Sequence, residues 1–160
     1  MKIVIMRHGE AEANAASDEV RNLTHYGLSQ ATLAGKLLQR LGFEFDQVWV
    51  SPYVRAMQTA DAVLSAYPEN VLHRETTQLL VPEALPADIT DRIAEAPDCN
   101  LLLVSHQPLV SALVGVLEEG HATFGPPMAP ATMALLTAES ILPGCCQLQW
   151  LKHAPYNVQV

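Results

Sequence analysis

The stretch Asn100-Leu101-Leu102-Leu103-Val104-Ser105 narrows the possible folds more than any other. Its successive apolar residues predict a strand that must be covered on both faces. A sheet with one wet face alternates apolar and polar residues, whereas an unbroken apolar run belongs to a parallel sheet lying between helices. Lys2–Arg7, with the core Ile3-Val4-Ile5-Met6, reads as a second strand of this kind. Gln47–Val50, Val71–Arg74, Thr132–Thr137 and Gln147–Leu151 read as four more.

Helical segments separate these strands. Leu23-Thr24 precedes a helix running to about Leu41, with Thr24 as its N-cap and Gly42 as its stop. Leu28, Ala31, Ala34, Leu38 and Leu41 fall at helical spacing along it. Ser51-Pro52 predicts a second helix, with Ser51 as N-cap and Pro52 at the first helical position. Ala87–Glu95 and Pro108–Glu118 read as two more helices, and 8–22, 75–86 and 120–130 as loops. Strand alternating with helix predicts an α/β fold, a three-layer α/β/α sandwich with a mostly parallel central sheet.

Composition sets the outer limits. With 160 residues, 49% hydrophobic and 16% charged, the chain is expected to form a single globular domain over 1–160. No apolar run approaches the roughly 20 residues of a membrane span, and the residues after Met1 are too few for a signal peptide, so a cytoplasmic protein is expected. Cys99 stands apart from the adjacent Cys145 and Cys146, which is neither a disulfide framework nor a metal-ligand spacing; all three read as small apolar residues in or near strands. A formal net charge of −8 argues against nucleic acid and anionic membranes as partners. With only nine Lys plus Arg, any that converge on one point carry information.

Sites in parallel sheets form at the carboxyl ends of strands. That rule selects Arg7-His8-Gly9, Ser51 to Arg55, and Ser105-His106. A neutral imidazole such as His8 is a good nucleophile toward phosphorus, provided its second nitrogen is held as a donor. Gly9 permits a tight turn and the approach of an anion. Arg7, at the end of a buried strand, demands an anion, and a phosphate meets that demand. Arg55, one turn into the helix that Ser51 is expected to cap, suits a bidentate phosphate clamp. His106 can donate to a phosphoryl oxygen.

These residues sit in longer motifs. Arg7-His8-Gly9, Leu23-Thr24-His25-Tyr26-Gly27, Ser51-Pro52-Tyr53-Val54-Arg55-Ala56-Met57-Gln58-Thr59 and Val104-Ser105-His106 follow one another along about two-thirds of the chain. Together they resemble the histidine phosphatase superfamily, also called phosphoglycerate mutase-like. Ile5-Met6-Arg7-His8-Gly9-Glu10-Ala11, the loop Ala15-Ala16-Ser17-Asp18 and Val20-Arg21-Asn22-Leu23-Thr24 are most similar to its compact SixA-type branch of bacterial phosphohistidine phosphatases. The resemblance implies that His8 is the phosphorylated nucleophile and that Arg7, Arg55 and His106 form the phosphate pocket. Arg21 matches an arginine characteristic of SixA-type members that faces the site. Asn14 stands where larger relatives place a phosphate-contacting asparagine. Glu83 is, by order along the chain, the counterpart of the carboxylic acid with which larger relatives protonate the leaving oxygen, although no aromatic-Glu-Gly segment follows it here. Neither cofactor nor metal is expected.

The segments around the predicted crevice are short, leaving little chain for a lid. An open groove suits a phosphohistidine on another protein, and the resemblance suggests a histidine-phosphotransfer domain as that partner. Three alternatives stay open. One is a small-molecule phosphomonoesterase or mutase of the same superfamily. Another is a non-catalytic phosphohistidine-binding module, against which the presence of His8 argues. A third is a metal hydrolase using His8 and His106, although Arg7 and Arg55 would repel a cation there and no HExxH spacing is present.

Overall fold

In a computed structural model, described over residues 1–68 and 73–156, the strands form one six-stranded sheet. In chain order they are β1 (Lys2–Arg7), β2 (Gln47–Val50), β3 (His73–Thr76), β4 (Asn100–Ser105), β5 (Met133–Thr137) and β6 (Gln147–Lys152). Four helices accompany them: α1 (His25–Arg40), α2 (Val54–Leu64), α3 (Pro86–Ala94) and α4 (Leu109–Glu119). The spatial order is β3-β2-β4-β1-β5-β6. β1, β2, β3 and β4 run parallel, β5 is antiparallel to β1, and β6 is antiparallel to β5. The unbroken apolar strand β4 therefore lies at the centre, between β1 and β2, where both of its faces are covered.

Side-chain alternation divides the core into two layers. Ile3, Ile5, Trp49, Leu101 and Leu103 point to one face, where they meet Ile89 and Ile93 of α3 and Leu109, Leu113 and Leu117 of α4. Val4, Met6, Val48, Val50, Leu102 and Val104 point to the other, against Ala31, Ala34 and Leu38 of α1 and Ala56, Ala60 and Val63 of α2. The result is the three-layer α/β/α sandwich that the strand pattern predicts.

Several local expectations need correction. Thr24 does cap α1, accepting from the Gly27 N–H, and Gly42 follows the helix with φ of 73°. Leu28 and Leu41, however, are 47% and 46% exposed. The buried stripe runs through Gly27, Ala31, Ala34 and Leu38; Leu28 stands one position off it, and Leu41 lies beyond the last helical residue. Ser51 does not cap α2. The helix begins at Val54, and the Ser51 hydroxyl accepts from the Tyr53 N–H within the preceding turn. Of the strand expected over Val71–Arg74, Val71 and Leu72 lie outside the described residues, and β3 continues to Thr76 because it pairs with β2 as far as Val50. The loop that follows contains a 3-10 turn, Gln78–Leu80. Cys99 and Cys146 are buried beside β4 and β6, but Cys145 is exposed.

The small residues of α1 let it lie close on α2. A Cβ added at Gly35 would sit 2.2 Å from the Val63 carbonyl oxygen. Gly-to-Ala in a helix interior ordinarily gains about 1 kcal/mol. Here the clash is with backbone, and the helices must separate to relieve it, at a cost of about 1–3 kcal/mol or more. Gly35→Ala is therefore expected to lower the urea midpoint of unfolding, and a raised midpoint would refute the close contact.

Candidate active site

The site is assembled where β1, β2 and β4 end. The His8 backbone is fixed from both sides: its N–H donates to the Ser105 carbonyl of β4 (2.9 Å), and its carbonyl accepts from the Ala131 N–H ahead of β5 (2.9 Å). Its ring Nδ1 lies 2.7 Å from the Gly9 carbonyl oxygen. A carbonyl can only accept, so Nδ1 carries the proton and Nε2 carries the lone pair. The Arg55 Nε–H meets that lone pair at 3.2 Å. The two contacts agree on one neutral tautomer with Nε2 turned to the guanidinium.

Gly9 is required here by close approach, not by a left-handed turn. A Cβ on it would lie 2.6 Å from the Gly27 carbonyl oxygen of α1, and the backbone angle is not among the positive ones. Its N–H donates to the Thr59 hydroxyl (3.1 Å), which in turn donates to the Arg55 carbonyl (2.7 Å). Thr59 thus ties the His8 loop to the helix that carries Arg55. Arg55 is the second residue of α2, not one turn in.

His8, Arg55 and His106 converge as the three strand ends predict. They are 6%, 4% and 1% exposed, and the His8 and His106 rings are 5.0 Å apart between centroids. Arg7 joins them, with its Nη1 on the Met128 carbonyl (2.9 Å). Two buried nitrogens in this group, Arg7 Nε and the His106 ring Nδ1, lack a hydrogen-bond partner among the described residues. Buried polar atoms are rarely left unpaired. Two of them beside two guanidiniums make a site shaped for an anion that accepts several hydrogen bonds, as phosphate does.

Around this centre stands a rim that sequence reading saw only in part. Arg21 is half-buried and reaches the site through Asp18, which sequence reading missed. The Asp18 carboxylate bridges Arg21 Nη1 (2.9 Å) and Arg55 Nη2 (3.2 Å), and its carbonyl accepts from Arg55 Nη1 (2.6 Å). The signal available in the sequence was Asp18 three residues before Arg21 in a polar loop. Glu83 is exposed and joins the site through Tyr53, whose hydroxyl lies 3.4 Å from its carboxylate and whose ring stands 4.9 Å from that of His106. Asn14 is exposed, and none of the hydrogen bonds that join the site runs through it. Ser51, read as a helix cap, is instead 2.7 Å from His106 Nε2. Among the described residues no group of three or more His, Cys, Asp or Glu is placed to hold a metal ion.

Burial governs the charges. It drives the His8 pKa down to about 4, with Arg55, Arg7 and Arg21 adding to the effect and the Gly9 carbonyl opposing it. Burial likewise brings His106 to about 2, reinforced by His8 and Arg55. Burial and then Arg55 lower Arg7, while the Arg21 hydrogen bond and then Arg55 hold the Asp18 carboxyl below its ordinary range. Neutral imidazoles among buried cations are the state in which a histidine attacks phosphorus.

The pH dependence follows. An exposed histidine takes up its proton near 6.5, whereas folded His8 refuses it until about 4. Below 6.5 the unfolded chain binds a proton that the fold does not, so the urea midpoint should fall as pH drops from 6.5 toward 4. His106 pushes the same way toward still lower pH. An NMR titration should place the His8 midpoint near 4, and a midpoint near 6.5 would contradict this electrostatic picture.

Residues 3–78 match the model of the histidine phosphatase superfamily (branch 1). The phosphohistidine phosphatase SixA homolog of Haemophilus influenzae is 39% identical over 73% of this chain and 77% of its own length. Phosphohistidine phosphatase SixA of Escherichia coli is 34% identical over 80% of this chain and 79% of its own. A solved structure of the protein histidine phosphatase SixA complexed with tungstate superposes with a TM-score of 0.85 at 30% identity, covering 94% of this chain and 96% of that one. With identity at this level over most of both chains, the protein belongs to the histidine phosphatase superfamily and is a hydrolase.

Proposed function

We propose that the protein is a phosphohistidine phosphatase that removes the phosphoryl group from a histidine of another protein through a phosphorylated His8. The observation that carries this reading is the His8 Nε2 lone pair, turned to Arg55 in a site that also holds the buried, unpartnered nitrogens Arg7 Nε and His106 Nδ1. In the first step Nε2 attacks phosphorus. The P–Nε2 bond forms, the substrate's P–N bond breaks, and the departing imidazole takes up a proton from the candidate acid Glu83 or from solvent. Arg7, Arg55 and His106 hold the equatorial oxygens as charge shifts between them. In the second step water attacks, the P–Nε2 bond breaks, and inorganic phosphate leaves with His8 neutral again. The guanidiniums supply positive charge throughout, and no step calls for a metal or cofactor.

The substrate class rests on access. The whole connection from Thr76 to Asn100 is spent on a 3-10 turn and α3, and α3 packs beneath the sheet through Ile89 and Ile93. A connection with no chain to spare for a lid suits a side chain presented by a protein, and a histidine-phosphotransfer domain is the partner we infer. The names of the relatives support the phosphohistidine chemistry. Glu83, held at the mouth by Tyr53, is the candidate donor of the leaving-group proton. A weak P–N bond asks little of that donor.

The test is loss of label from an isolated phosphotransfer domain phosphorylated on histidine, run beside free sugar phosphates. Label should leave the protein substrate preferentially. An equal or higher rate on sugar phosphates would favour a small-molecule phosphomonoesterase. His8→Ala should abolish turnover yet still bind tungstate, whereas Arg55→Ala should weaken tungstate binding and lower kcat by about 10²–10³-fold. Phosphoenzyme trapped by quenching should be labile in acid and stable in alkali. Label that survived acid and mapped to a serine would overturn the role of His8.

A further inference from the structure

Ser51 looks at first like a nucleophile with its base, since its hydroxyl oxygen lies 2.7 Å from His106 Nε2. Its burial argues otherwise. Ser51 is 0% exposed at the end of β2, with its own N–H on the Val104 carbonyl (3.0 Å), so its oxygen is held inside the fold. The direction of the hydrogen bond then becomes the question. The Tyr53 N–H, which can only donate, points at the same oxygen from 3.3 Å.

His106 is neutral in its buried setting, so one ring nitrogen carries a proton and the other a lone pair. Suppose Nε2 were protonated. The Ser51 oxygen would accept from both Nε2 and Tyr53, its own hydrogen would lack an acceptor among the contacts at that oxygen, and Nδ1 would be a buried lone pair with no donor. Two buried groups would go unsatisfied, and the lone pair would repel a phosphoryl oxygen. With the proton on Nδ1, Ser51 accepts from Tyr53 and donates to Nε2. Only the Nδ1–H is then left over, and it is the donor that an anion can take up.

We propose that Ser51 is a positioning residue: its hydroxyl donates to His106 Nε2 and so fixes the tautomer that presents Nδ1–H to the phosphoryl group. This rests on the reading of His106 as a phosphate contact, but its test does not depend on activity. Ring-nitrogen NMR of the ¹⁵N-labelled protein, with the His106 signals assigned by their loss in His106→Gln, reports which nitrogen bears the proton. Wild type should show Nδ1–H with an unprotonated Nε2. A wild-type ring protonated on Nε2 overturns the proposal whatever the enzyme hydrolyses. In Ser51→Ala the ring should shift toward the other tautomer or a mixture, and kcat/KM should fall by about 10–100-fold, the worth of one hydrogen bond to a charged group. Ser51→Cys, of similar size and with a weak donor, should recover part of both. A Ser51→Ala protein that kept the Nδ1–H tautomer would overturn the proposal. If the wild-type tautomer is as stated but no phosphohistidine substrate is turned over, the functional reading fails and the role of Ser51 stands.

Discussion

Two guanidiniums, Arg7 and Arg55, lie side by side at the carboxyl edge of the sheet, in a chain whose formal net charge is −8. Buried cations of like sign are tolerated only where hydrogen bonds or an anion compensate them. The rest of the site follows from that constraint. Asp18 and the Met128 carbonyl take some of the donors, and others stay turned to the centre. The same positive field, added to burial, denies His8 its proton. On the functional reading proposed above, the cations that would hold a phosphate thus help burial to keep the nucleophile neutral.

Precision in this arrangement comes from the backbone. His8 is anchored to strands on either side of β1, and Arg55 is coupled to the His8 loop through Thr59. The loop leaving His8 is drawn against α1, where Gly9 and Gly27 touch backbone to backbone, and Gln58 of α2 accepts from the Leu23 N–H (2.7 Å). A site on loops would lose geometry with every loop fluctuation. This one is pinned to rigid elements at several points, and an in-line displacement requires that rigidity.

What the sequence made legible was local. β1 and β4 announce themselves by unbroken apolar runs, and Thr24 and Gly42 mark α1 by chemistry acting within a few residues. The convergence of His8, Arg55 and His106 followed from one topological rule about strand ends. What stayed hidden depends on partners distant in sequence. Ser51 resembles a helix cap because Pro52 follows it, yet its oxygen is committed to His106, 55 positions away. Asp18 reads as one polar loop residue among several until Arg55, 37 positions on, is seen beside it. Leu28 fits a helical stripe on paper but falls outside it, because Gly27 takes the position facing the His8 loop.

The two carboxylates at the mouth divide by their partners. Asp18 accepts from Arg21 and Arg55, which hold its carboxyl below the ordinary range and make it a poor proton donor. Its suitable part is to neutralise the outer edge of Arg55 and to orient Arg21. Among the described residues Glu83 has no ion-pair partner; its neighbour is the Tyr53 hydroxyl, and the Tyr53 ring lies 4.9 Å from that of His106 and 5.1 Å from the Arg55 guanidinium. Tyr53 therefore links the cluster of Arg7, His8, Arg55 and His106 to the Glu83 carboxylate. A phosphohistidine leaves as an imidazole that solvent can protonate, whereas an alkoxide needs its proton delivered. On the functional reading proposed above, a carboxylate kept at one remove from the phosphate is adequate for a P–N bond and poorly placed for a P–O bond.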